Sequence, residues 1–279
     1  MNKILQLLAK YFLGTGITTH MPWLKNAYLN LYTKLFSGEK LFDLENGMKI
    51  TMPLDSGPGI FLLFKGEYEP YQTLLFNENI KEGDIVFDVG AHVGYYSLIS
   101  SKAVGNKGKV IACEPSSKNV KLLRKNVADN DLKNIYIIDK AVSSQTGSIK
   151  LYKSLSSSGE NSIVRKESYE VARVASTTID NLSKKLNLTP ALLKIDVEGA
   201  ELEVLSGATT TLKSKKLNSI FVEVSNLDTL PKVISILEDN GYNLFILNEQ
   251  RMKLESFVIE KVRKYLSKMG YTTIYAQRN

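Results

Sequence analysis

Between residues 85 and 224 the sequence keeps switching hydrophobic period, and that rhythm narrows the fold more than any other feature. Runs rich in β-branched residues at 85–89, 110–114, 135–139, 192–196 and 219–224 predict strands. Segments with helical spacing, 95–103, 117–130 and 200–212, lie between them, and a helix over 230–240 follows the last. Strands that are apolar at nearly every position are covered on both faces, so the alternation predicts an α/β protein with a mostly parallel central sheet. Two further runs, 242–247 and 271–276, bracket a lysine-rich helical stretch, and the terminal strand is expected to run antiparallel.

The rhythm breaks once. Residues 147–152 and 171–177 look like strands on either side of a Ser-rich loop at 154–162, which predicts a β insertion over about 141–178 with a mobile tip. Upstream, 41–45 and 48–52 flank Asn46-Gly47, a dipeptide suited to a tight hairpin turn. A loop is expected at 55–59 and a helix at 71–79, while residues 1–36 read as helices interrupted by Gly14, Gly16 and Pro22. The chain therefore divides into a helical and hairpin appendage, 1–65, and a main domain, 66–279.

With 279 residues and 43% hydrophobic content the chain can bury one full core. Its net charge of +7 comes from dispersed lysines, with no Arg-rich or aromatic-interleaved block, so nucleic acid is not signalled as a partner. The single cysteine, Cys113, excludes an intrachain disulfide. No cleavable signal is read in residues 1–13, and the longest apolar run, 60–64, is far short of the ~20 residues a membrane helix needs. A cytoplasmic protein is expected. Ile4, Leu5, Leu8 and Phe12 share one helical face, which could rest on a membrane surface, on a partner or on the chain's own domain.

Three stretches carry chemistry. In the first, a strand runs through Asp88-Val89-Gly90-Ala91-His92-Val93-Gly94 into a helix, so glycines let the backbone approach a ligand at a helix start. A dinucleotide fingerprint would place glycine at position 92, and His92 stands there, which disfavours NAD. In the second, Glu114 ends the next strand about 20 residues later, where a doubly wound fold puts a carboxylate against ribose hydroxyls. The third, Leu193-Lys194-Ile195-Asp196-Val197-Glu198-Gly199-Ala200-Glu201, is a strand ending in acids. Asp196 and Glu198 should face the crevice that holds Gly90 and Glu114, whereas Glu201 suits a helix N-terminus.

Together with Tyr68-Glu69-Pro70, Glu114-Pro115-Ser116, Ala141-Val142-Ser143 and Thr178-Ile179-Asp180, these stretches resemble the FkbM-type methyltransferases over about residues 66–224. The resemblance implies a Rossmann-like class I methyltransferase fold and O-methyl transfer from S-adenosylmethionine, often to a hydroxyl of a sugar, glycan or related small molecule. It also implies that Asp88, Gly90, Ala91 and Gly94 line the cofactor's methionine half, with Tyr95 beside them. Glu114, with Pro115 and Asn119, would take the ribose, and Asp139, Lys140 and Ala141 would lie beside the adenine. Glu69 would cap the site from outside, and Asp196 would border the cofactor.

A sugar hydroxyl needs a general base within hydrogen-bond reach, and Asp196, Glu198 and His92 are the candidates. No metal-ligand pattern is visible, so metal-independent transfer is expected. Arg165, Lys166, Tyr169 and Arg173 in the insertion offer cationic and aromatic surface for an acceptor. The competing readings are a non-catalytic S-adenosylmethionine-binding or interaction protein and an RNA methyltransferase. Intact Asp88, Glu114 and Asp196 speak against the first, and the second, which the charge permits, has no supporting motif.

Overall fold

The structure, a computed structural model, describes residues 38–154, 161–164 and 169–278. The expected helices of 1–36 and their apolar stripe lie outside the described residues, as do Arg165, Lys166 and most of the Ser-rich loop. No helix among the described residues is long and apolar enough to cross a membrane.

An eight-stranded sheet forms the centre. It uses β3 (Ile85–Val89), β4 (Lys109–Cys113), β5 (Ile135–Ile138), β9 (Leu192–Ile195), β10 (Ser219–Val224), β11 (Tyr242–Asn248), β12 (Lys253–Ser256) and β13 (Thr272–Arg278), in the order β12-β11-β13-β10-β9-β3-β4-β5. The five strands from β10 to β5 are parallel, and β13 pairs antiparallel with both β10 and β11. Helices α1 (Gly57–Lys65), α2 (Pro70–Glu78), α3 (Tyr95–Val104), α4 (Ser117–Asp129), α5 (Ile179–Leu186), α6 (Glu201–Ser206), α7 (Leu230–Asp239) and α8 (Ile259–Met269) surround it.

The parallel strands read as apolar runs because both faces are covered. On one face Phe87, Leu193, Ile195, Ile220 and Val222 join the largest core cluster, and on the other Val86, Leu192 and Phe221 pack with Phe76 and Tyr96. The hairpin of β1 (Glu39–Asp43) and β2 (Lys49–Pro53) docks on α4 through asparagines that imitate a neighbouring strand. Asn126 accepts from the Thr51 amide at 2.8 Å and donates to the Thr51 carbonyl at 2.9 Å, and Asn130 does the same for Lys49 at 2.8 and 2.6 Å. The insertion is a three-stranded sheet of β6 (Ala141–Val142), β7 (Gly147–Ser154) and β8 (Tyr169–Thr177), with β8 central.

The expected loop at 55–59 is half helix. Ser56 caps α1 by accepting from the Gly59 amide at 3.2 Å, Pro58 stands in the first turn, and Gly66 ends the helix at φ 78. The expected helix over 200–212 stops at Ser206. A Cβ on Gly207 would lie 2.3 Å from the Ser143 carbonyl oxygen, so the chain packs tightly on the insertion there. Asp180 then accepts from the Thr210 and Thr211 amides at 2.8 Å each and caps a separate 3₁₀ turn, Thr211–Lys213. Helix α5 and edge strand β12 were not anticipated. Both are short, and α5 depends on Thr178 capping the Asn181 amide at 3.0 Å.

Candidate active site

Strand order reverses beside β3. The chain moves outward from β3 through β4 to β5, and β9 then returns to pair on the other side of β3. Ligands of open α/β sheets bind in the crevice beyond the carboxyl ends of the strands at such a switch point.

The loop after β3 touches the end of β9. Gly90 has φ 84, and a Cβ on it would lie 1.7 Å from the Asp196 carbonyl oxygen, so a side chain at this position would drive the two segments apart. The Asp196 amide in turn donates to the Val89 carbonyl at 2.9 Å. Gly94, at φ 99, begins α3 with Leu123 where its Cβ would be. His92 holds φ 51, and its amide donates to Glu114 Oε2 at 3.0 Å. Burial lowers the imidazole pKa to about 4. Asp88 is 1% exposed: its Oδ2 accepts from the Ser97 hydroxyl at 2.6 Å, and its Oδ1 has no partner among the described residues.

Glu114 stands just past β4, 4% exposed, accepting from the Ser116 amide at 2.8 Å and the Asn119 side chain at 3.3 Å. Burial pushes its pKa up to about 7 against the pull of these bonds. Asn119, buried behind it, orients the carboxylate, and Pro115 turns the chain into α4. Tyr95 opens α3 beside the glycine loop, but its hydroxyl donates to the Tyr68 carbonyl at 3.0 Å and its ring meets Tyr68 edge-on. The Glu114 amide donates to the Ile138 carbonyl at 3.1 Å, which brings Asp139 and Lys140 next to it. Asp139 is exposed and pairs with Arg124 at 3.1 Å, while Ala141 is buried in β6.

A second centre forms around Lys194, which lies opposite Asp88 in the β3–β9 register and is 3% exposed. Its Nζ donates to Asp196 Oδ2 at 2.8 Å and sits 4.5 Å from the centroid of the Tyr96 ring. Burial alone would lower the pKa of this ammonium; Asp196, Asp88 and Glu69 outweigh burial and hold it above the ordinary lysine value. Glu69, half-buried within this network, accepts from Tyr96 at 2.7 Å and Gln72 at 2.8 Å, and burial raises its pKa to about 7.

Asp196, Glu198 and Glu223 each bring a carboxylate oxygen within 4.8 Å of the others, a spacing that a divalent cation or the hydroxyls of a polyol can bridge. Burial, then Asp196, Glu69 and Glu198, hold the Glu223 carboxyl well above its ordinary pKa. Glu198 takes φ 53, and the Ser162 hydroxyl of the insertion donates to its carbonyl at 2.7 Å. Glu201 supports the turn from behind, accepting from the Gly199 amide at 2.7 Å at the start of α6.

Sequence reasoning missed the roles of Lys194, Glu223, Tyr96 and Gln72. The signal for two of them was present: a lysine or glutamate inside an otherwise apolar parallel strand is buried, and a buried charge needs partners. Tyr96 and Gln72 gave no such signal, because aromatic and amide residues on a helix face are ordinary.

Comparison with known proteins supplies the context for this geometry. Residues 88–244 match the family model of the methyltransferase FkbM domain, a little over half of the chain. The hexuronic acid methyltransferase AglP of Haloferax volcanii is 30% identical over 162 residues, covering 57% of this chain and 63% of that one, so the match spans less than two thirds of that relative. The methyltransferase sdnD of Sordaria araneosa is 24% identical over 198 residues, covering 60% of this chain and 76% of that protein. Among solved structures, an FkbM methyltransferase from Methylobacillus flagellatus aligns with a TM-score of 0.43 at 18% identity, over 71% of this chain and 44% of the other.

Proposed function

The chain belongs to the FkbM methyltransferase family, and from that premise we propose that it transfers the methyl group of its cofactor, S-adenosylmethionine, to a hydroxyl of a sugar, glycan or related small molecule. The residues fit such a cofactor. Gly90 and Gly94 let backbone approach it, Glu114 is a buried carboxylate at the right strand end, and the orphaned Asp88 Oδ1 is an acceptor for a donor on the methionine half. Asp139 and Lys140, next to Glu114, are assigned to the adenine side.

When bound, the cofactor supplies a methyl on a positively charged sulfur, and that charge is lost on transfer. The protein's part is alignment, which in well-oriented systems removes on the order of 7–11 kcal/mol of barrier. One observation carries the reading. The Asp196 backbone touches Gly90, so the cofactor loop and the carboxylate group form one continuous surface. Asp196 then receives the proton of the acceptor hydroxyl, with Lys194 fixing its orientation from 2.8 Å. Glu198 and Glu223 anchor neighbouring hydroxyls. Burial depresses the basicity of His92, and in this reading it shapes the loop.

In this reading Asp196→Asn lowers kcat about 10²- to 10⁴-fold, the range of a lost general base, while S-adenosylmethionine still binds. Calorimetry with the cofactor and a methyl-transfer assay separate the two effects. Unchanged turnover removes Asp196 from the role, and activity lost on chelator treatment and restored by a divalent cation would replace metal-independent transfer with a cation held by the three carboxylates.

A further inference from the structure

Helix α2 does not cap itself. Pro70 has no amide proton, and the first helical bond runs from the Thr73 amide to the Glu69 carbonyl at 2.8 Å, so the amides of Tyr71 and Gln72 have no partner within the helix. The residue before a helix normally offers a side-chain oxygen to such amides. Glu69 stands in that place with a carboxylate, yet makes no cap bond. It holds the left-handed conformation at φ 45, ψ 60, which strains a residue other than glycine, and its Oε2 accepts from the Tyr96 hydroxyl and the Gln72 side chain instead.

The cap comes from a distant part of the chain. Glu249 lies in the 3₁₀ turn Glu249–Arg251 between β11 and β12, and its two carboxylate oxygens accept from the Tyr71 amide at 3.1 Å and the Gln72 amide at 2.6 Å. That turn is itself fixed: Asn248 Oδ1 accepts from the Arg251 amide at 3.0 Å, and Asn248 Nδ2 donates to Glu255 at 2.8 Å and to the Tyr265 hydroxyl at 2.9 Å. Gln72, 2% exposed, joins the two acids. Its backbone amide meets Glu249, while its side chain donates to Glu69 at 2.8 Å and to the Tyr96 hydroxyl at 2.7 Å. Through Tyr95 and Tyr96 the whole turn is tied to the start of α3, directly after the glycine loop.

We infer that Glu249 is a positioning residue of the active site: by capping α2 in place of Glu69, it frees the Glu69 carboxylate for the centre formed by Tyr96 and Lys194. Lys194 lies over the Tyr96 ring and opposite Asp88, whose unpartnered oxygen is assigned to the cofactor. Glu69 is one of the three carboxylates that keep this buried ammonium charged, together with Asp196 and Asp88. Without Glu249, Glu69 is the residue placed to cap the bare amides of its own helix. Once it turns back to them, Asp88 and Asp196 alone balance Lys194, and Asp88 is drawn to the cation and away from the cofactor. This role rests on the assignment of Asp88 under the proposed function.

The test is a double-mutant cycle on the full chain, with S-adenosylmethionine affinity measured by calorimetry and Tm recorded alongside. Glu249→Ala and Glu69→Ala should each weaken binding about tenfold, the worth of a hydrogen bond to a charged group. The double variant should bind within about twofold of either single variant, because the two residues act through one network. Glu249→Gln keeps one acceptor oxygen and should fall between wild type and Glu249→Ala; it carries the same cycle if Glu249→Ala does not fold. A purely structural role predicts losses that multiply, about hundredfold in the double variant, or a lower Tm with affinity unchanged, and either result overturns the inference. A loss in Glu249→Ala that Glu69→Ala lacks overturns it as well. Failure of S-adenosylmethionine to bind the wild-type chain overturns the underlying reading instead.

Discussion

The two edges of the central sheet obey different rules. At the amino edge a larger hollow, about 710 Å³, opens between the hairpin turn, the end of α3 and the starts of β4 and β5. Several of its polar groups are partnered: Asn134 donates to the Ser101 and Gly105 carbonyls at 3.0 and 2.9 Å, and Lys102 reaches the Asn46 carbonyl. Lys107 and Glu82 nearby are 83% and 69% exposed and 3.8 Å apart. The carboxyl edge holds a smaller hollow, about 530 Å³ between the turn after β9, the loop after β10 and the end of α8, and is far less relaxed. Asp88, Glu114 and Lys194 are buried there, Asp88 keeps an orphaned oxygen, and Glu69, His92 and Glu198 hold positive φ without being glycine. Only Asp131 does so at the amino-edge hollow, and Asp tolerates that conformation. Cavity size alone points to the amino edge, whereas unsatisfied electrostatics and backbone strain point to the carboxyl edge, where the proposed site lies.

The sharpest way to break the contrast is Lys194→Met. Removing the cation from a buried, hydrogen-bonded pair typically costs about 3–5 kcal/mol, so a denaturant melt should show a loss of that order together with a fall in turnover. Lys194→Arg should recover part of the stability. A variant as stable as wild type would mean that the acids are not held by this cation.

Glu114→Gln is expected to have a smaller, pH-dependent effect. The folded-state pKa of Glu114 is raised from 4.5 to about 7 in the cofactor-free chain, so the fold favours its protonated form. That stabilisation is fully present below about pH 4.5 and is lost as pH rises through 7, on the order of 3 kcal/mol at most. The variant should therefore gain stability relative to wild type between pH 5 and pH 8 in thermal melts. Its S-adenosylmethionine affinity should fall roughly 10- to 100-fold, the worth of hydrogen bonds to a charged group. A stability difference independent of pH would contradict the buried-carboxylate account.

The smallest effect is expected at the amino edge. Lys107→Ala removes one side of an exposed pair and should leave Tm within about 1–2 °C and turnover unchanged. A larger loss would erase the distinction between the edges.

Much of the molecule was legible from the chain alone. Strands such as Ile85–Val89 and Ser219–Val224 fall where β-branched runs put them, since a buried parallel strand leaves no room for another pattern. Asp88, Gly90, Glu114 and Asp196 stood out as candidates because strand ends of an α/β sheet are fixed by periodicity, and acids or glycines there are conspicuous. Helix α1 and the break in the 200–212 segment were less legible, because a Ser-Gly-Pro start resembles a turn and because Gly207 stops the helix only where Ser143 packs against it.

The sequence by itself determined the layered fold, the glycine loop and the identity of the acids, because local period and strand-end chemistry act over a few residues. Only the tertiary structure decided that Lys194 would stand opposite Asp88, that Glu223 from a different strand would join Asp196 and Glu198, and that Glu69 would reach them through Tyr96. Those groupings depend on which strands become neighbours at the switch point, and burial then alters how readily each acid ionises. Neither strand adjacency nor desolvation is written into any short stretch of the chain.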